Sequence, residues 1–206
     1  MSSMIDRVAR DELLPRSTDV VVIGAGIIGV TAALTLAERG VAVVLIEKGV
    51  IAGEQSSRNW GWCRQQGRDP RELPLIIESL RLWRELNQRI EGETGFRQCG
   101  VVYLARTAAD LAAREAWLDL TKTYGVDSRL VGRRELDQLL PGSTVPYVGA
   151  LFTPSDGRAE PALAVPAMAR AARRRGALVR RRGRSCQREG GEGRAHRCSI
   201  NRLRLR

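Results

Sequence analysis

Gly24-Ala-Gly26-Ile-Ile-Gly29 lies between a β-branched run, Asp19-Val-Val-Val-Ile23, and an apolar, Ala-rich stretch from Val30 to Arg39 that Gly40 stops. The spacing suits a turn that holds a dinucleotide. Gly24 permits the tight turn, Gly26 lets a pyrophosphate approach the backbone closely, and Gly29 lets helix and strand pack. The free N–H groups and positive dipole end of the following helix face the phosphates, so Ile27 and Ile28 join the three glycines as candidate contacts. Glu47 ends the next apolar run, Val41-Ala-Val-Val-Leu-Ile46. A carboxylate there accepts hydrogen bonds from an adenosine ribose and disfavours a 2′-phosphate, which places NADP last among dinucleotides and leaves NAD and FAD open. A tight turn with no ligand is the bland alternative.

These residues need a strand, a glycine turn, a helix and a second strand in that order: one βαβ unit, with parallel pairing and a right-handed crossover. Further on, Asp69-Pro-Arg-Glu72 predicts a helix start, with a capping Asp, Pro at the first helical position and Glu where a capping box wants it. That helix runs to about Ile90, and Leu80, Trp83, Leu86 and Ile90 recur at the spacing of a core face. Gly100 to Ala105 predicts a strand, and Thr107-Ala-Ala-Asp110 a capping box opening a helix that Gly125 ends. Ser128 to Val131 and Val148 to Thr153 predict strands, with a short helix from Arg133 to Leu140 between them. Pro161 to Arg175 predicts a helix, followed by a strand at Ala177-Leu-Val179. The middle strands need not belong to the first sheet.

Choosing between NAD and FAD takes more than the βαβ unit. Gly24 to Gly29, Glu47-Lys48, the loop Ser56-Ser-Arg-Asn-Trp-Gly61, and Gly149-Ala-Leu-Phe-Thr-Pro-Ser-Asp-Gly-Arg-Ala-Glu-Pro161 before an Ala-rich helix together resemble the D-amino-acid oxidase family of FAD-dependent oxidoreductases. The resemblance covers about residues 17 to 179 and implies FAD as cofactor. It carries over Lys48, Ser56, Ser57, Arg58, Asn59 and Gly61 as cofactor contacts, whose hydroxyl, amide and guanidinium donors would supplement the glycine turn. A merely solvated polar loop is the competing reading of that stretch.

The resemblance further implies hydride abstraction from the carbon beside the nitrogen of a small amine or amino acid, giving an imine that hydrolyses, with the electron acceptor left open. No catalytic residue is assigned, because the family's substrate-carboxylate and flavin-ring contacts come largely from later sequence, and little turnover is expected from a substrate site that lacks those walls, even with FAD bound. Tyr103, Tyr124 and Tyr147 read as packing or surface residues ahead of pocket lining. The implied architecture is α/β: a Rossmann-like FAD-binding domain with an incomplete inserted α+β substrate domain. The expected boundaries are a flexible lead-in over 1–18, FAD-binding segments at 19–92 and 158–179, a substrate segment at 93–157, and an arginine-rich tail at 180–206. The runners-up are an NAD-dependent dehydrogenase and a non-catalytic basic, nucleic-acid-associated protein.

Charge separates the tail from the rest. The 206 residues carry a formal net charge of +11, yet through Ala172 there are 21 Lys and Arg against 21 Asp and Glu. The remaining stretch holds 13 Arg against Glu189 and Glu192. Without periodicity, residues 180–206 are expected to be disordered, and a reading-frame break near Val179 to Gly183 explains the abrupt change of pattern. No aromatic residues interleave with the arginines, which argues against a nucleic-acid partner. Cys186, His196 and Cys198 lack the paired spacing of a zinc site, and no metal is expected. Cys63 and Cys99 are as widely spaced, and no secretory leader precedes them, which fits a reducing, cytoplasmic setting. The apolar stretch Val20 to Ile28 contains Gly24 and Gly26 and falls short of the ~20 residues of a membrane span.

Overall fold

The computed structural model describes residues 8–11, 13–181, 187–189 and 197–199. In chain order the strands are β1 (Val20–Ile23), β2 (Val43–Glu47), β3 (Trp62–Cys63), β4 (Arg97–Gln98), β5 (Val101–Ala105), β6 (Arg129–Val131), β7 (Gly149–Thr153), β8 (Gly157–Arg158), β9 (Leu178–Arg181), β10 (Gln187–Glu189) and β11 (Arg197–Ser199). The helices are α1 (Ile27–Glu38), α2 (Leu73–Arg89), α3 (Ala108–Thr121), α4 (Arg133–Leu139) and α5 (Pro161–Arg174). The chain divides into two compact units, one of residues 1–60, 88–94 and 160–206, the other of 61–87 and 95–159.

In the first unit β1, β2 and β9 form a parallel sheet in that order, with Val20 opposite Val43 and Val44 opposite Leu178. Every residue of β2 is buried, as a near-continuous apolar run requires when a parallel strand is covered on both faces. α1 and α5 pack together through small side chains, Ala33 and Ala37 on one and a run of buried alanines from Ala162 to Ala172 on the other. Pro161 opens α5, where its missing N–H costs nothing. β9 runs two residues beyond the expected end at Val179, pairing Arg180 with Ile46 and Arg181 with Glu47. A ladder draws on backbone groups, which arginine supplies as well as valine does.

Two described stretches differ from the flexible lead-in and patternless tail expected of the sequence. Among the described residues of the lead-in there are anchors: Val8 is buried, the Asp11 N–H donates to the Val179 carbonyl at 2.8 Å, and the Val179 N–H donates to Asp11 Oδ2 at 2.7 Å. β9 would otherwise leave those groups unpaired, and an Asp two-thirds of the way along the lead-in satisfies both. The patternless tail is interrupted by an antiparallel pairing of β10 with β11, Arg188 opposite Cys198. Of the frame break near 179–183, residues 182 and 183 lie outside those described, as do Cys186 and His196, whereas Cys198 lies in β11.

In the second unit β7 lies between β5 and β6 in an antiparallel sheet. One face holds Val131, Leu136, Tyr147 and Ala150, with Val102, Leu104 and Phe152 against them. α3 is opened by the capping box read from the sequence, Thr107 accepting from the Asp110 N–H and Asp110 from the Thr107 N–H. β3, β8 and β4 make a second small sheet, each strand only two residues long and so below the reach of any periodicity. Residues 61–87 thus belong to this unit, although they were expected within the first part of the FAD-binding domain. The physical reason is the apolar face of α2, where Leu80, Ile76 and Trp83 pack on Cys63, Ala159 and Phe96. Among the described residues no helix is long and apolar enough to cross a membrane.

Candidate cofactor site

The glycine turn is built from backbone constraints. Gly24 has φ +96°, which a side chain resists, and its N–H donates to the Ile46 carbonyl. A Cβ at Gly29 would lie 1.9 Å from the Gly24 carbonyl oxygen, so glycine there is what allows α1 to rise directly off β1. A Cβ at Gly26 would lie 3.0 Å from Ser56 Oγ, and that hydroxyl accepts from the Ile27 N–H at 2.8 Å. The N–H groups of Gly26, Ile28 and Gly29 find no acceptor among the described residues. Three unsatisfied amides therefore gather at the positive end of α1, beside one hydroxyl.

Glu47 is buried, its Oε2 accepting from the Ala25 N–H and its Oε1 from the Gly49 N–H. It ties the end of β2 to the glycine turn, and each oxygen keeps a lone pair for a further donor. The loop beyond folds on itself as a 3-10 turn over Gln55–Ser57. Ser57 donates its N–H and hydroxyl to the Glu54 carbonyl, and the Asn59 side-chain amide donates to the carbonyls of Gln55 and Ser56. Lys48 and Arg58 both face Glu54, at 3.9 and 3.4 Å.

Of the expected contacts, Gly24, Gly26, Ile27, Gly29, Glu47 and Ser56 are thus brought together, and Ile28 stands 81% exposed in the first turn of α1. Ser57 and Asn59 are turned toward their own loop. Gly61 belongs to the second unit, where its carbonyl accepts from the Ala159 N–H. A diphosphate fits the residues present: its oxygens could take the three unsatisfied amides and the proton of Ser56.

A family model for FAD-dependent oxidoreductases matches residues 19–201. The chain belongs to the FAD-dependent oxidoreductase family. It is 32% identical to human mitochondrial sarcosine dehydrogenase over 81% of its own length and 18% of that protein's, and 30% identical to the beta subunit of an Arthrobacter sarcosine oxidase over 70% and 38%. Among solved structures it is similar to the L-amino acid deaminase of Proteus myxofaciens, with a TM-score of 0.87 and 30% identity over 92% of this chain and 44% of that one. The chain therefore spans less than half the length of each of these relatives. The dinucleotide of the family is FAD, which closes the choice the βαβ unit leaves open. The match also runs past Val179 into the arginine-rich stretch.

The second unit of this FAD-dependent oxidoreductase contains a buried polar cluster that the sequence reading overlooked. Asp156 is fully buried and accepts from the N–H groups of Gln65 (2.8 Å) and Gln66 (3.0 Å). Burial pushes its carboxyl up to about 6, against the pull of those two amides. Gln66, also fully buried, donates to the Leu151 carbonyl while its Oε1 has no partner. Two adjacent glutamines in one polar stretch and a distant Asp-Gly turn are the sequence signals of this arrangement. Nearby, the Arg64 guanidinium lies over the rings of Trp62 and Tyr103 at 5.3 and 5.4 Å, and Arg114 over Tyr103 at 5.2 Å. Tyr147 is core, and Tyr124 is surface. The Cys63 thiol is pushed up to about 12 by burial, which leaves it unreactive.

Proposed function

We propose that the protein binds FAD at the glycine turn of its first unit and oxidises the C–N bond of a small amine or amino acid. The observation that carries the cofactor part is the set of unsatisfied Gly26, Ile28 and Gly29 amides beside the Ser56 hydroxyl, where a Cβ at position 26 would crowd that hydroxyl at 3.0 Å. The substrate class is supported by the relatives, which include sarcosine dehydrogenase, sarcosine oxidase and L-amino acid deaminase.

In this reading FAD supplies the electron sink that accepts a hydride from the carbon beside the substrate nitrogen. The chain's own share begins with charge. The α1 amides and Ser56 neutralise the diphosphate, Lys48 and Arg58 add cations at its rim, and Glu47 accepts from a ribose hydroxyl while holding the turn in shape. Gly24 and Gly29 set the angle between β1 and α1 and so fix where those amides point.

The test is spectroscopic. The purified protein incubated with FAD and freed of excess should keep the visible bands of bound oxidised flavin, and anaerobic sarcosine or an L-amino acid should bleach them. Binding of NAD without flavin would overturn the reading, and retained flavin that no amine bleaches would overturn its substrate part.

A further inference from the structure

The stretch from Glu47 to Arg58 carries four formal charges, Glu47, Lys48, Glu54 and Arg58, which cancel. A site that takes a dianionic diphosphate is thus built with no net positive charge of its own. Glu47 is accounted for, buried and engaged by two amides. Glu54 is not. Its side chain is 64% exposed and stands between the two cations, Oε1 facing Lys48 Nζ at 3.9 Å and Oε2 facing Arg58 Nη2 at 3.4 Å. Its backbone is pinned from the other side, since the Glu54 carbonyl takes both donors of Ser57. Two residues on, Ser56 reaches the first amide of α1. Chain connectivity therefore keeps this carboxylate at the rim of the anion site.

We propose that Glu54 is a built-in counter-anion of the diphosphate site: it occupies Lys48 and Arg58 until a dinucleotide displaces it, and so sets how tightly the cofactor is held. The inference rests on the FAD reading above. Two effects act in the same direction. The carboxylate repels an incoming diphosphate, and it must surrender two ion pairs before the cations can turn to the ligand. Exposed pairs of this kind are individually weak, so Glu54 tunes affinity and does not switch binding on or off. Being exposed, its influence fades as salt screens it.

Neutralising Glu54 tests this, with binding as the readout. Wild type and Glu54→Gln would be titrated with FAD by flavin fluorescence and with ADP-ribose, which carries the diphosphate without the flavin, by calorimetry. Glu54→Gln is expected to bind both ligands about fivefold tighter at low salt, a gain of the size two surface pairs allow. The gain should shrink at about 0.5 M salt, where the screening length is only a few ångströms. It should also shrink to what direct repulsion alone gives when Lys48→Gln and Arg58→Gln are present together, since no ion pair is then left to surrender. Unchanged or weaker binding overturns the proposal, as does a gain that is undiminished without the two cations. Failure of the wild type to bind either ligand overturns the FAD reading and this proposal with it. Wild-type binding with no effect of Glu54→Gln overturns this proposal alone.

Discussion

At the scale of single residues, the three glycines of the turn do different work, and their substitutions should separate. Gly29→Ala places a methyl 1.9 Å from a backbone oxygen that cannot move without pulling β1 away from α1. It is expected to cost about 3 kcal/mol in urea unfolding and to abolish FAD retention, since relief requires rotating the very amides proposed to bind the ligand. Gly24→Ala meets no atom within 4 Å but must hold φ +96°, so it should cost only about 1–2 kcal/mol, measured by urea unfolding. Equal losses at the two positions would sink that distinction. Ser56→Ala removes the acceptor of the Ile27 N–H and a donor to the ligand together, and FAD affinity is expected to fall about tenfold, with stability changed by no more than about 1 kcal/mol. The glycines and Glu47 were legible in the sequence because a turn of this kind admits few alternatives. Glu54 was not, since an exposed carboxylate gains meaning only from the two cations that the folded loop sets on either side of it.

At the scale of elements, the long ones were written plainly in the chain and the short ones were not. β1, α1 and β2 each have a period or an unbroken apolar run, and α3 has a capping box. β3, β4 and β8 have two residues apiece and exist because the chain returns at Gly157–Arg158 between two earlier segments. Asp156 sits at that return, and its titration reports whether the return is as tight as described. Its folded carboxyl titrates at about 6 and an unfolded Asp near 4, so between those values the folded chain binds a proton that the unfolded chain does not. Stability therefore falls as pH rises through that window, by about 3 kcal/mol, and is flat above it. Asp69, held at about 2 by Arg71, acts in the opposite sense and below pH 4, so the windows do not overlap. Urea unfolding of wild type and Asp156→Asn from pH 4 to 7 should give a difference that changes across the window and levels off above about pH 6.5. A constant difference would mean that water reaches the carboxylate.

At the scale of the whole molecule, sequence charge and structure divide the chain differently. Charge marks everything after Ala172 as foreign to a neutral body, whereas the fold carries α5 and β9 through that point without a break and fastens Asp11 to them. The fastening depends on Asp11. Its carboxylate pairs with Arg173 at 2.7 Å and accepts the Val179 N–H, while its carbonyl accepts from Arg180. A hydrogen-bonded Arg173 holds this carboxyl below its ordinary range. A depressed carboxyl contributes stability that is fully present above its unfolded value near 4 and is lost as pH falls toward the folded one. Asp11→Ala should therefore destabilise the protein by about 1–2 kcal/mol at pH 7, measured by urea unfolding, with the deficit shrinking below pH 4 as the wild type loses the same interaction. Hydrogen exchange should locate the damage at the Val179 amide. Should Asp11→Ala leave that amide protected and the stability unchanged, residues 8–11 would be no part of the first unit, and the arginines of α5 would be paired with nothing that holds the sheet edge.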